Sequence, residues 1–197
     1  NRFDPYLQTW NRLAAFDATG HPIDKVELIV LGGTWSFYPE AYQIDFVRRC
    51  LEAMSDYGEG LDRRAEPRPR IPDFEAIDAR VDGAGFTKNP YNARVVDFLR
   101  RHADDPLLES AGSAESSDWA SLERAQRRNE SAGARCVGLV LETRPDHVTE
   151  AEILRLRRLG ATKVQLGVQQ LDDAILAANR RGHDVAATRR AFRLLRE

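Results

Sequence analysis

Two cysteines and three lysines are all that 197 residues hold of those types. Cys50 and Cys136 lie too far apart for a Cys-x-x-Cys pair, and no second pair exists to complete a zinc site. Both sit in apolar patterns and are expected to be buried and inert. No apolar run approaches the roughly 18 to 20 residues that span a bilayer, and no charged-then-apolar leader opens the chain. A cytoplasmic location without membrane contact is the expectation. The chain also lacks His-Glu-x-x-His, a phosphate-cradling Gly-Lys-Ser/Thr turn, and any spacing that suggests a Ser/His/Asp or Cys/His arrangement.

Charge is nearly balanced overall but not along the chain. Between Ala151 and Glu197 ten basic side chains face five acidic ones. That surplus suits either a solvated helix face or attraction to a polyanion such as RNA. With lysine so scarce, part of the arginine excess reads as coding bias. The chain begins with Asn1 and ends inside an amphipathic pattern, Ala186 to Glu197, so it reads as a piece of a longer protein.

Helices and strands alternate. Asp4 and Pro5 mark a helix start running to Gly20. Lys25 to Gly33 (KVELIVLGG) reads as a strand buried on both faces. Pro39 opens a helix carrying Tyr42, Phe46, Cys50 and Met54 on one side. From Gly58 to Ser117, where five of the nine prolines fall, an irregular and partly disordered insertion is expected, with one short helix over Asn92 to His102. Order resumes with a helix from Trp119 to Ala132 and a strand from Arg135 to Thr143. A Thr149/Glu152 capping box then opens a helix ending at Gly160, and a strand follows from Thr162 to Gln169. A short helix near Asp172 to Ala178, a loop to His183 and an Asp184-capped helix complete the chain.

This order predicts an α/β fold with a parallel sheet, either barrel or open. Alternation places Val140, Glu142 and Arg144 on one face of their strand, and Lys163, Gln165, Gly167 and Gln169 on one face of the next. Polar groups on one face, backed by aliphatic ones, favour a barrel whose lumen holds a polar ligand near the strand C-terminal ends.

Three clusters carry possible chemistry. Gly32, Gly33, Thr34 and Ser36 follow the first strand, where glycines let a ligand approach the backbone and hydroxyls can bond it. Glu142, Arg144 and Asp146 stand at the mouth of the second strand. Such charges either pair with each other or meet a charged ligand. Gln165 to Gln170 and Asn179 to His183 form the third: a Gln can bond an amino acid or ribose group, and Arg181 can fork onto a carboxylate. His183 reads as a base or as a packing residue.

DPYLQTWNRL, KVELIVLGGTWSFYP, GLVLETRPD, VQLGVQQLDD and NRRGH together resemble the radical S-adenosylmethionine (SAM) domain of the Elp3 family. The resemblance covers most of the chain outside Gly58 to Ser117. It implies a partial (β/α) TIM-like radical SAM barrel formed by residues 1–57 and 118–197, with 58–117 inserted. It also implies a [4Fe-4S] cluster that cleaves SAM to a radical, acetyl-CoA as co-substrate, and a carboxymethyl-type group placed on C5 of the wobble uridine of tRNA. Accessory subunits or a homodimer are further expected partners. By motif position, Gly32, Gly33 and Thr34 correspond to the turn receiving the SAM amino group. Glu142, Gln169 and Arg181 match positions holding the SAM ribose and carboxylate; Arg144 and His183 are motif members without a separate role.

The family's cysteine triplet is absent, which places the cluster-binding unit, like the acetyltransferase-like domain, outside this chain and leaves the chain alone inactive. Two other readings stay open: a non-catalytic tRNA-binding barrel module, and a radical SAM enzyme acting on another substrate.

Overall fold

The computed structural model describes residues 4–65 and 118–196, together with 70–71, 97, 101 and 109–110. Helix α1 (Pro5–Ala18) starts as expected: Asp4 Oδ1 accepts the Leu7 amide at 2.9 Å and Pro5 takes the first helical position. The other Asp4 oxygen, Oδ2, receives Arg49 at 2.8 Å and fastens α1 to helix α2 (Glu40–Gly58). Strand β1 (Lys25–Val30) lies between these helices in sequence.

Beyond α2, a two-residue strand β2 (Arg70–Ile71) pairs in parallel with β3 (Glu109–Ser110). The helix expected over 92–102 lies outside the described residues, except that 97 and 101 are helical. Helix α3 (Trp119–Asn129), capped by Asp118, stops three residues short of Ala132. The cause is Asn129, whose side chain donates to Ala134 O and accepts the Cys136 amide, tying the helix end to the next strand.

Strands β4 (Arg135–Thr143) and β5 (Lys163–Leu166) complete a parallel sheet of order β1-β4-β5. Helix α4 (Glu150–Leu159) connects them, with Thr149 capping its start and Gly160 in the left-handed region at its end. Only half of the capping box forms, because Glu152 pairs with Arg155 instead of reaching back to Thr149. Short helix α5 (Asp173–Ala178) and helix α6 (Val185–Leu194) follow, each opened by an aspartate cap, Asp172 and Asp184.

One sheet face builds the core. Leu28, Val30, Leu139, Leu141 and Val164 pack against Ile44, Val47 and Leu51 of α2, Leu122 of α3, and Leu156 and Leu159 of α4. Each fully buried leucine contributes about 1.5–3 kcal/mol. A smaller cluster of Leu13, Met54 and Ala134 seats α1. Cys50 and Met54 are buried as the helical spacing predicted, with Tyr42 and Phe46 packed against the core.

The other sheet face is only partly covered among the described residues: Val140 of the central strand is buried there, whereas Ile29 of β1 and Lys163 of β5 beside it are exposed. Burial alternates along β1, and Ile29 is 46% exposed, so the reading of β1 as buried on both faces is corrected: its apolar run hid a two-residue period. Strands β1, β4 and β5 form an open sheet among the described residues. Among the described residues no helix is long and apolar enough to cross a membrane.

Candidate functional site

The C-terminal ends of the parallel strands meet at Thr143. Its hydroxyl lies 2.7 Å from Ser36 Oγ, beyond β1, and its carbonyl accepts the Gly167 amide at 3.0 Å, beyond β5. Thr143 therefore holds both flanking loops to the central strand. It is 2% exposed and lies on the core side, where the sequence pattern of mouth-facing polar groups gives no signal of it.

The turn after β1 needs its glycines. Gly32 and Gly33 take φ of 98° and 77°, where a side chain is strained. Space above Gly32 is open, whereas a Cβ on Gly33 would sit 3.1 Å from Tyr38 Oη. Thr34 follows, half-buried, as the residue before the short 3₁₀ turn Trp35–Phe37 and without a capping bond of its own.

Glu142 faces the open side of the sheet, in register with Gln165. It is half-buried and makes no hydrogen bond or ion pair with the described residues. Arg144 does not join it: the guanidinium forks onto Asp146 at 3.0 and 2.6 Å. Of the two possibilities for this charged triplet, Arg144 and Asp146 realise pairing, and Glu142 remains available.

The third cluster is shaped by backbone. The expected strand to Gln169 ends at Leu166, because Val168 N bonds Leu166 O at 2.8 Å and Gln170 N bonds Val168 O at 2.7 Å. Gln169, exposed, is the centre of the second of these three-residue turns, with φ of 64°. A non-glycine residue there costs on the order of 1–3 kcal/mol, a cost found often at functional sites. His183 Nε2 lies 3.2 Å from Val168 O, which sets the ring against the same turn, while its Nδ1 is buried without a partner among the described residues. Gly182, at φ of 75°, lies under Arg144, so that a Cβ there would be 2.6 Å from Nη2. Arg181, just before Gly182, is half-buried, and its Nε is enclosed without a hydrogen-bond partner among the described residues.

The structure thus joins Arg144, Gly182, His183 and the Gln169 turn into one packed rim, with Glu142 and Gln165 on the open sheet beside it. Gly182 carried no visible signal beyond its position between Arg181 and His183. Both cysteines lie elsewhere. Cys50 is enclosed in α2, where burial pushes its thiol up to about 12, and burial also raises Cys136, which packs into the core. Among the described residues no three His, Cys, Asp or Glu side chains are set to hold a metal ion.

Parallel strands with helices on one face and a glycine-opened mouth at their C-terminal ends define an α/β unit whose candidate site lies at that mouth. No family model matches the chain. Over 195 residues it is 35% identical to the tRNA uridine(34) acetyltransferase of Methanocaldococcus infernus, covering 99% of this chain and 25% of that protein. Elongator complex protein 3 of Danio rerio is 26% identical over 196 residues, or 100% of this chain and 25% of that one. Among solved structures, the archaeal Methanocaldococcus infernus Elp3 with N-terminus deletion (1-46) superimposes with a TM-score of 0.62 at 34% identity, covering 96% of this chain and 30% of that one. The chain belongs to the Elp3 family and spans about a quarter of the length of these curated relatives.

Proposed function

We propose that this chain forms the SAM-binding mouth of an enzyme that modifies the wobble uridine of tRNA, joining a carboxymethyl-type group derived from acetyl-CoA to C5. In this reading the three strands belong to a larger (β/α) barrel, residues 1–57 and 118–197 are its parts, and 58–117 are inserted between β1 and β4. The names of the relatives support the tRNA substrate and acetyl transfer. One observation carries the ligand site: Glu142, half-buried and unpaired among the described residues, stands beside Gln165 on the open sheet face where the strands end.

The residues present fit SAM. Gly32 leaves room for a ligand against the backbone, and Gly33 and Thr34 offer amides to its methionine end. The enclosed Arg181 Nε is a donor awaiting a carboxylate, and Glu142 and Gln169 are placed to accept ribose hydroxyls or donate to them in the case of Gln169. Bound there, SAM supplies the radical precursor for forming a carbon–carbon bond. This chain's residues orient it: Arg144 and Asp146 hold the Arg181–His183 turn, and Thr143 holds the loops.

The [4Fe-4S] cluster does not fit these residues. It needs closely spaced thiolates; Cys50 and Cys136 are far apart in sequence, packed in the core and held protonated.

Titration of SAM into the chain, followed by ligand-observed NMR, tests the site. Saturable binding that weakens about tenfold or more in Glu142→Gln is expected, as for one lost charged hydrogen bond. Binding of equal strength in the variant contradicts the assignment.

A further inference from the structure

Helix α6 borders a cleft of about 520 Å³ lined by Leu171, Thr188, Arg189, Phe192, Arg193 and Arg196. Its position is informative. Ala187 and Ala191 bury the neighbouring face of α6, which packs on the Pro145–His147 turn, the turn that carries Asp146. Leu171 arrives from the Gln169–Gln170 segment. The cleft therefore lies on the rim of the mouth, outside it.

Its charge is uncompensated. Arg189, Arg193 and Arg196 form no ion pair with the described residues. The nearby acids are engaged with backbone: Asp184 accepts the Ala187 amide, Asp173 the Val185 amide, and Asp172 those of Ala174 and Ile175. Among the guanidiniums Phe192 is 46% exposed, and Leu171 is 68% exposed. Phosphate contacts by Arg and base stacking on an aromatic ring are the two interactions by which proteins hold unpaired nucleic acid. An acidic peptide would satisfy the guanidiniums and offer Phe192 no flat partner.

We propose that this cleft is an RNA subsite, taking backbone phosphates on Arg189, Arg193 and Arg196 and an unpaired base on Phe192, while the reacting nucleotide enters the mouth beside it. The proposal rests on the tRNA reading above and adds a surface to it.

The test is binding of the chain to tRNA by fluorescence anisotropy across a salt series. The R189Q/R193Q/R196Q variant is expected to bind at least tenfold more weakly and to lower the slope of log K against log salt by about 2 to 3, near one per lost phosphate contact. The corresponding three lysine substitutions keep the slope. Phe192→Ala binds about tenfold more weakly at an unchanged slope. Removing the same charge elsewhere, in R124Q/R127Q/R135Q, changes the slope by less than one unit. An unchanged slope in the first variant, or an equal loss in the last, overturns the subsite and leaves the tRNA reading standing. No tRNA binding by the unaltered chain overturns both.

Discussion

Ser36 Oγ and Thr143 Oγ1 lie 2.7 Å apart and join the loop after β1 to the end of β4. This one bond connects the glycine turn at Gly32–Gly33 to the strand that carries Glu142. Replacing either hydroxyl, in Ser36→Ala or Thr143→Val, is expected to cost about 0.5–1.5 kcal/mol. A double-mutant cycle by urea unfolding should show coupling above about 0.5 kcal/mol. Strict additivity would mean the two loops are held by something else.

Gly182→Ala combines two penalties. The new Cβ meets Arg144 Nη2 at 2.6 Å, and φ of 75° strains any side chain. Arg144 can swing away because its end is flexible, so the expected loss is about 1–2 kcal/mol, or a fall of about 2–8 °C in Tm. SAM affinity should fall with it, because the turn carrying Arg181 loses its seat on the Arg144–Asp146 fork. Undiminished SAM affinity would separate that fork from the ligand site.

Gly58→Ala is expected to be worse. The added Cβ meets backbone on all sides, 2.4 Å from Ala134 N and 2.9 Å from Gly133 C, where nothing flexible can yield. The end of α2 and the start of β4 must separate, at about 2–3 kcal/mol. A thermal melt within 1 °C of the parent would rule out this close crossing.

Much of this architecture is legible in residue order. Asp4–Pro5, Thr149 and Gly160 mark helix ends by chemistry local to each position, and the structure keeps all three. The mouth was legible in part: the glycine turn and Glu142 stand where strand ends put them. What local pattern cannot show is pairing at a distance. Arg144 finds Gly182, Ser36 finds Thr143, and Val168 N turns back onto Leu166 O, which ends β5 while the apolar alternation continues to Val168. The uncovered face of β1 was likewise hidden, because Ile29 is apolar on the side that lacks a described neighbour.

Alkaline pH should destabilise the chain by way of Cys50 and Tyr6. Burial holds the Cys50 thiol up at about 12 against an ordinary value of 9.0, and burial with the Asp56 hydrogen bond raises Tyr6 further. Both groups keep their protons in the folded chain after the unfolded chain has lost them. Their contribution is complete below about pH 9 and is lost as pH rises toward 12. The urea midpoint should therefore hold to about pH 9, fall as pH rises from there toward 12, and fall less in Cys50→Ala. An identical fall in that variant would remove the thiol from the explanation.

The nucleoside profile of tRNA from cells lacking the gene tests the central claim most directly. The expected result is loss of carboxymethyl-type groups from wobble uridine, restored by the unaltered gene and not by one carrying Glu142→Gln. An unchanged profile in the deletion, or full restoration by Glu142→Gln, would contradict it.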